Sequence, residues 1–202
     1  MEERQGVLEA VSDGGPEWDL TQSRILDAAD ALISRRGVHG VTIAELARRA
    51  GHSRPTIYRS WNDADDVVRS ALLRRVSMIL AEFPAHTRTR QGLVDDVLRF
   101  STLFRADDVY GRLLADEPEA FTRYTLQRVG SSQRLILSWL ATAIAAAQEG
   151  GSARQGDPGE IAVMLLLIAQ SAVLSHGTVS ELLSEASWER ELRAALDGLL
   201  RP

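Results

Sequence analysis

Residues 42–61 read TIAELARRAGHSRPTIYRSW, and the fold turns on how that stretch is parsed. Thr42 stands three residues before Glu45, the spacing of a capping box in which hydroxyl and carboxylate satisfy free backbone donors at a helix start. A helix is therefore expected from 43, with Ile43, Leu46 and Ala47 forming its apolar face and Arg48 and Arg49 lying off it. Gly51 can take the left-handed conformation that closes a helix, Ser53 can cap the next one, and Pro55 is tolerated in a first turn. That second helix, about 54–60, carries mostly polar side chains in Arg54, Thr56, Tyr58 and Arg59. Only Ile57 and Trp61 can tie it down. A short helix with so little to bury is best explained by a partner that meets its exposed face.

Charge singles out the same stretch. The 202-residue chain has a formal net charge of −5, but residues 20–62 carry seven arginines (24, 35, 36, 48, 49, 54, 59) against Asp27, Asp30 and Glu45, a net of +4. Residues 1–19 carry Arg4 and six acids, a net of −5, and 63–202 carry 15 arginines and 19 acids, a net of −4. One basic module in an acidic chain is the footprint expected of a nucleic-acid contact. All 23 basic residues are arginine, which GC-rich coding explains as readily as physics.

Composition excludes several classes. There is no cysteine, so disulfide frameworks, thiolate metal sites and a cysteine nucleophile are ruled out. His39, His52, His86 and His176 are scattered without ligand spacing, so no metal site is expected. No nucleophile motif or phosphate-binding glycine loop is present, and the carboxylates at Asp107–Asp108 and at Asp116, Glu117 and Glu119 are explained by capping at helix starts. No catalytic residue and no cofactor is expected. The acidic start lacks a signal-peptide pattern, and the apolar run 161–169 is about half the length of a membrane span, so the chain is read as cytoplasmic without a membrane partner.

Outward from the opening stretch, everything reads as helix. Residues 1–19 are expected to be a disordered leader, 20–66 a three-helix module, and 67–202 a larger helical domain. Helices are expected over about 21–36, 43–50, 54–60, 63–82, 92–105, 107–115, 118–148, 158–176 and 187–201, about nine in all, in an all-α fold. Val38 and Val41 seal the first junction, Pro84 and the polar run 86–91 stop the fourth helix, and Gly130-Ser131-Ser132 marks a bend in the long one. Phe100, Phe104, Tyr110, Phe121, Tyr124 and Trp139 together locate a pocket between helices, with Tyr110, Tyr124 and Thr125 as its polar groups; taken singly, each reads better as core packing than as pocket lining. Ile161, Val163, Met164, Leu165, Leu166, Leu167 and Ile168 are too many for one helix face, so that helix is expected to bury two sides, one against a second subunit.

The run Ile25-Leu26-Asp27-Ala28-Ala29, Gly37, Thr42 to Ala47, Ala50-Gly51, Ser53, Thr56-Ile57-Tyr58 and Trp61 resembles the DNA-binding domain of TetR-family transcriptional regulators over about 20–72. The resemblance implies a helix-turn-helix domain followed by a ligand-binding and dimerisation domain. It implies a homodimeric repressor, joined through helices 158–176 and 187–201, that leaves a near-palindromic DNA operator when a small effector binds. Arg54, Pro55, Thr56 and Arg59 then match base-edge or groove contacts, and Thr42, Ser53 and Tyr58 belong to the same DNA-binding set, Thr42 and Tyr58 at phosphate positions. Ala64 and Ser60 depart from the pattern, standing where relatives often carry lysine and arginine. Two alternatives remain: the same fold acting as an activator or without an effector, and a helical enzyme or small-molecule carrier.

Overall fold

The computed structural model describes residues 16–83, 88–125 and 129–202. The 1–15 leader, the 84–87 part of the expected helix stop and the Thr125 side chain lie outside the described residues. Among the described residues there are ten α-helices and no strand: α1 Leu20–Arg36, α2 Ile43–Ala50, α3 Arg54–Tyr58, α4 Ala64–Leu80, α5 Arg90–Ala106, α6 Tyr110–Asp116, α7 Pro118–Thr125, α8 Ser131–Glu149, α9 Pro158–Val179 and α10 Glu185–Leu200, with a 3-10 turn at Val38–Gly40. The helix expected over 118–148 is two helices. Val129 and Gly130 stand outside both, because a glycine costs a helix interior about 1 kcal/mol and the serines after it favour a fresh start. Hence ten helices, where about nine were expected.

Two compact units share the chain. One holds α1 to Met78 of α4 together with Ala106–Ser132; the other holds Ile79–Arg105 and Gln133–Pro202. In the first, α1 starts on a capping box that the expectations missed: Gln22 N donates to Asp19 Oδ1 at 2.8 Å and Asp19 N to Gln22 Oε1 at 3.0 Å. Ile25, Leu26, Ala28, Ala29, Leu32 and Ile33 form its buried face, and Val38 and Val41 are buried beyond it. Arg74 of α4 clamps α1 from one side, reaching Asp30 Oδ2 and Asp27 Oδ1 at 2.8 Å each and the Ser23 carbonyl at 3.1 Å. Burial pushes the Asp30 carboxyl above its ordinary value, although Arg74 and Arg75 pull the other way. Arg75 continues the network to Asp107, whose other oxygen accepts from Val109 and Tyr110 N–H at 3.0 Å and so starts α6.

Glu117, expected as a capping residue, has a long-range task. Its Oε2 accepts from Val38 N at 3.2 Å, placing the α6–α7 junction directly over the end of α1. Gly37 there has φ 73 and ψ −179, and a Cβ on it would lie 1.4 Å from Glu117 Oε1. Gly51, which closes α2, has φ 68 and ψ 30 and nothing within 4 Å of a built Cβ.

In the second unit, Leu93, Val94, Val97 and Leu98 of α5, Ile136, Leu140 and Ile144 of α8, Ile161 and Leu165 of α9, and Leu192, Leu196 and Leu200 of α10 are buried. On α9, Val163, Met164 and Leu167 stay 42, 48 and 51% exposed. This helix runs to Val179, three residues beyond the expected end at 176. By length and composition it is apolar and long enough to cross a membrane, yet little of it is buried within this chain.

The two glycines separate two effects. Gly51→Ala is expected to cost only the left-handed penalty, about 1–2 kcal/mol. Gly37→Ala must also displace Glu117, and chemical denaturation is expected to register a clearly larger loss for it, beyond the roughly 1–3 kcal/mol of backbone strain alone. Equal losses would mean that Glu117 does not press on this turn.

Candidate nucleic-acid interface

α2 and α3 are both held by local chemistry that the sequence spells out. Thr42 is the N-cap of α2, its Oγ1 accepting from Glu45 N at 3.2 Å, and Leu46 is the fully buried residue of that helix. The expected return bond of a capping box is replaced: the Glu45 carboxylate meets Arg48 at 2.6 Å and Arg36 at 3.7 Å. Two guanidinium ions outbid a neutral amide for a carboxylate. Gly51 then closes α2 in the left-handed conformation, and Ser53 caps α3, accepting from Thr56 N at 3.3 Å and sharing a 2.8 Å hydroxyl contact with Thr56 Oγ1.

α3 has five residues and buries one of them, Ile57. Trp61 follows it into the core, with Nε1 donating to Ser70 Oγ at 2.9 Å, which ties the end of α3 to α4. With those two anchors inward, Ser53, Arg54, Pro55, Tyr58 and Arg59 all face solvent, Tyr58 with 55% of its surface exposed, while Thr56 is half-buried. Ser60, where the family pattern often has arginine, accepts from Gln22 Nε2 at 3.3 Å and so braces the start of α1. Ala64 opens α4, and Asp63 caps it, accepting from Asp66 N at 2.7 Å.

The electrostatics follow from which arginines find acids. Asp27 and Asp30 are engaged by Arg74, and Glu45 by Arg36 and Arg48. Arg24, Arg35, Arg49, Arg54 and Arg59 are exposed and make no ion pair among the described residues. Five uncompensated guanidinium groups on one small module, two of them flanking α3, form a surface suited to a polyanion.

The six aromatic residues expected around a pocket fall into two sets of three. Phe100, Phe104 and Trp139 lie in the second unit, where Phe83 joins them: ring centroids stand 5.5 Å apart for Phe83 and Trp139, 5.8 Å for Phe100 and Phe104, and 6.1 Å for Phe100 and Trp139. Phe83 continues the apolar spacing of Val68, Leu72, Val76 and Ile79, but it falls just past the expected helix end at 82, next to Pro84, and so stands outside the expected set. Tyr110, Phe121 and Tyr124 lie in the first unit. Tyr110 and Phe121 meet edge to face at 6.5 Å, and the Tyr110 hydroxyl donates to the Leu72 carbonyl of α4 at 2.8 Å, with burial pushing its pKa up. Tyr124 donates to Asp65 at 2.8 Å, and burial together with that carboxylate pushes its hydroxyl up to about 12. Among the described residues no group of three or more acidic and histidine side chains is placed to hold a metal.

Known proteins agree with this geometry. The family model of bacterial regulatory proteins of the tetR family matches residues 25–71, the span of α1 to the middle of α4. An HTH-type transcriptional regulator of Mycobacterium bovis is 38% identical over 180 residues, covering 89% of this chain and 94% of its own length. Among solved structures, a TetR-family regulator from Rhodococcus sp. superposes with a TM-score of 0.62 at 22% identity, covering 89% of this chain and 98% of that one. The Bacillus subtilis regulator FadR, solved with stearoyl-CoA, superposes with a TM-score of 0.58 at 16% identity, covering 88% and 97%. The chain belongs to the TetR family of bacterial regulatory proteins, and is a helix-turn-helix DNA-binding transcriptional regulator rather than an enzyme.

Proposed function

We propose that the protein is a homodimeric cytoplasmic repressor that binds a near-palindromic operator and leaves it when a small apolar or aromatic ligand binds. The observation that carries this reading is the outward face of α3, held by Ile57 and Trp61 and flanked by free guanidinium groups. Arg54 and Arg59 are the base readers, since arginine grips guanine with two hydrogen bonds, and Pro55 and Thr56 offer apolar contact to a thymine methyl. Thr42, Ser53 and Tyr58 serve phosphates, which fix register without reading sequence.

The dimer forms through α9 and α10. Val163, Met164 and Leu167 make an exposed stripe on α9 that Ser171 and Ser175 continue in polar form, and a groove of about 510 Å3 lined by Leu167, Ile168, Ser171, Ala172, Ser175, Val179 and Trp188 runs beside it. A stripe that turns polar halfway suits a protein partner better than lipid, and on α10 exposed Ala194 and Gly198 allow a second helix to approach closely. Two copies would set two α3 helices into successive major grooves about one helical turn apart.

The effector site is built within one unit from the clustered rings of Phe83, Phe100, Phe104 and Trp139; Tyr110, Phe121 and Tyr124, expected with them, form a separate group within the other unit. The Bacillus subtilis neighbour of the same fold was solved with stearoyl-CoA, whose acyl chain is apolar. Coupling runs through α4, and through α6 and α7, which share a compact unit with α3. A ligand shifts such an equilibrium only by its difference in affinity for the two states.

Selection from random duplexes is expected to enrich one near-palindromic sequence, and Arg54→Ala is expected to weaken binding to it by roughly five- to 150-fold and relax the preference at one base pair per half-site. No enrichment, with Arg54→Ala inert, rejects the reading. In sedimentation at micromolar concentration, Leu167→Glu is expected to convert the dimer to a monomer; a parent protein that sediments as a monomer excludes the dimer.

A further inference from the structure

Of the three acids in residues 20–62, Glu45 is the one that lies in α2; Asp27 and Asp30 are in α1. Along α2, Leu46 is buried, Glu45 beside it is half-buried, and Thr42, Arg48 and Arg49 are exposed. Oε2 of Glu45 accepts from both Nη2 and Nε of Arg48, at 2.6 and 3.1 Å, while Oε1 faces Arg36 Nη1 of α1 at 3.7 Å. Each carboxylate oxygen thus holds one guanidinium. The hydrogen bond from Arg48 holds the Glu45 carboxyl below its ordinary value, with the charges of Arg48, Arg36 and Arg49 adding to it, so it stays an anion wherever DNA binding is measured.

Fold stability does not account for this arrangement. The pairs are exposed and screened, and such pairs add little to folding. Their effect on charge is larger: of the seven arginines in 20–62, the two that have an acid partner among the described residues both share Glu45. A guanidinium engages a carboxylate and a phosphate in the same forked geometry, so whatever occupies Arg36 and Arg48 competes with DNA backbone for them. A phosphate bound beside the Thr42 cap would also meet the Glu45 charge as a repulsion.

We propose that Glu45 is a built-in competitor for DNA phosphate: its carboxylate occupies Arg36 and Arg48, limiting the sequence-independent part of DNA binding while leaving the face of α3 free to read bases. The consequence is specificity. Phosphate contacts strengthen binding to every sequence alike, so restraining them keeps the protein from being held on non-operator DNA. This inference rests on the DNA-binding reading of α2 and α3.

The test uses the full chain and a random-sequence duplex of defined length, with affinity measured across a range of salt concentrations. Glu45→Gln keeps the side chain's size, and the Thr42 cap is untouched because its donor is the backbone N–H. It is expected to tighten binding about tenfold near 0.1 M salt and to steepen the slope of log K against log salt by about one to two, near 0.9 for each phosphate gained. Operator affinity should rise by no more than that, so the operator-to-random ratio should not improve. Arg48→Gln should change random-duplex binding little in the parent, and remove about half of the gain in the Glu45→Gln background. Unchanged or weaker binding by Glu45→Gln, or an equal loss from Arg48→Gln in both backgrounds, overturns the proposal. Arg54→Ala separates the two readings: if it weakens operator binding while Glu45→Gln does nothing, only the competitor role is lost.

Discussion

A five-residue helix is far too short to stand in water by itself. α3 exists because its surroundings make it, and the compact unit around it can be understood as the means of holding those five residues with their polar side outward. Ser53 satisfies the first free amide, Pro55 presets the backbone, Ile57 and Trp61 go into the core, and Ser70 receives the indole hydrogen. α1 and α2 supply the apolar floor, with Leu46 and the Ile25-to-Ile33 face fully covered. Burying one aliphatic and one indole side chain is enough to orient the helix, and it leaves everything else on it for a partner.

The same unit reaches beyond the three-helix module. Arg74 and Arg75 of α4 bind Asp27 and Asp30 of α1 and Asp107 at the head of α6, and Glu117 caps the turn after α1 from the α6–α7 junction. Tyr110 and Tyr124 add hydrogen bonds to Leu72 and Asp65 of α4. Polar contacts of this kind demand good geometry, because a buried charge that loses its partner is costly. These segments share one compact unit with α3.

The opening stretch was legible because its signals are local. Thr42, Gly51, Ser53 and Pro55 act within one turn of where they stand, and all four take the roles that their spacing implies. Sign and distribution of charge could be read in the same way. What was not legible depends on residues far apart in the chain. Glu117 meets Val38 across 79 positions and Arg75 meets Asp107 across 32, so neither pairing has a spacing to recognise. Local reading also could not rank rival partners: Thr42 and Glu45 are spaced for a reciprocal box, but Arg48 and Arg36 take the carboxylate. The aromatic residues were visible as a group, while their division between two compact units is a property of the packing. Asp19 and Gln22 are a different case, since their capping box is written in four consecutive residues and needed no tertiary information.

In the proposed symmetric dimer, α3 is a groove-reading helix presented twice. Hydroxyl-radical and guanine-methylation footprints on the duplex enriched by selection test it most directly. Two equivalent protected patches in major grooves about 34 Å apart on one face of the helix are expected. A single patch without symmetry, or protection confined to the backbone with every guanine still reactive, would contradict it.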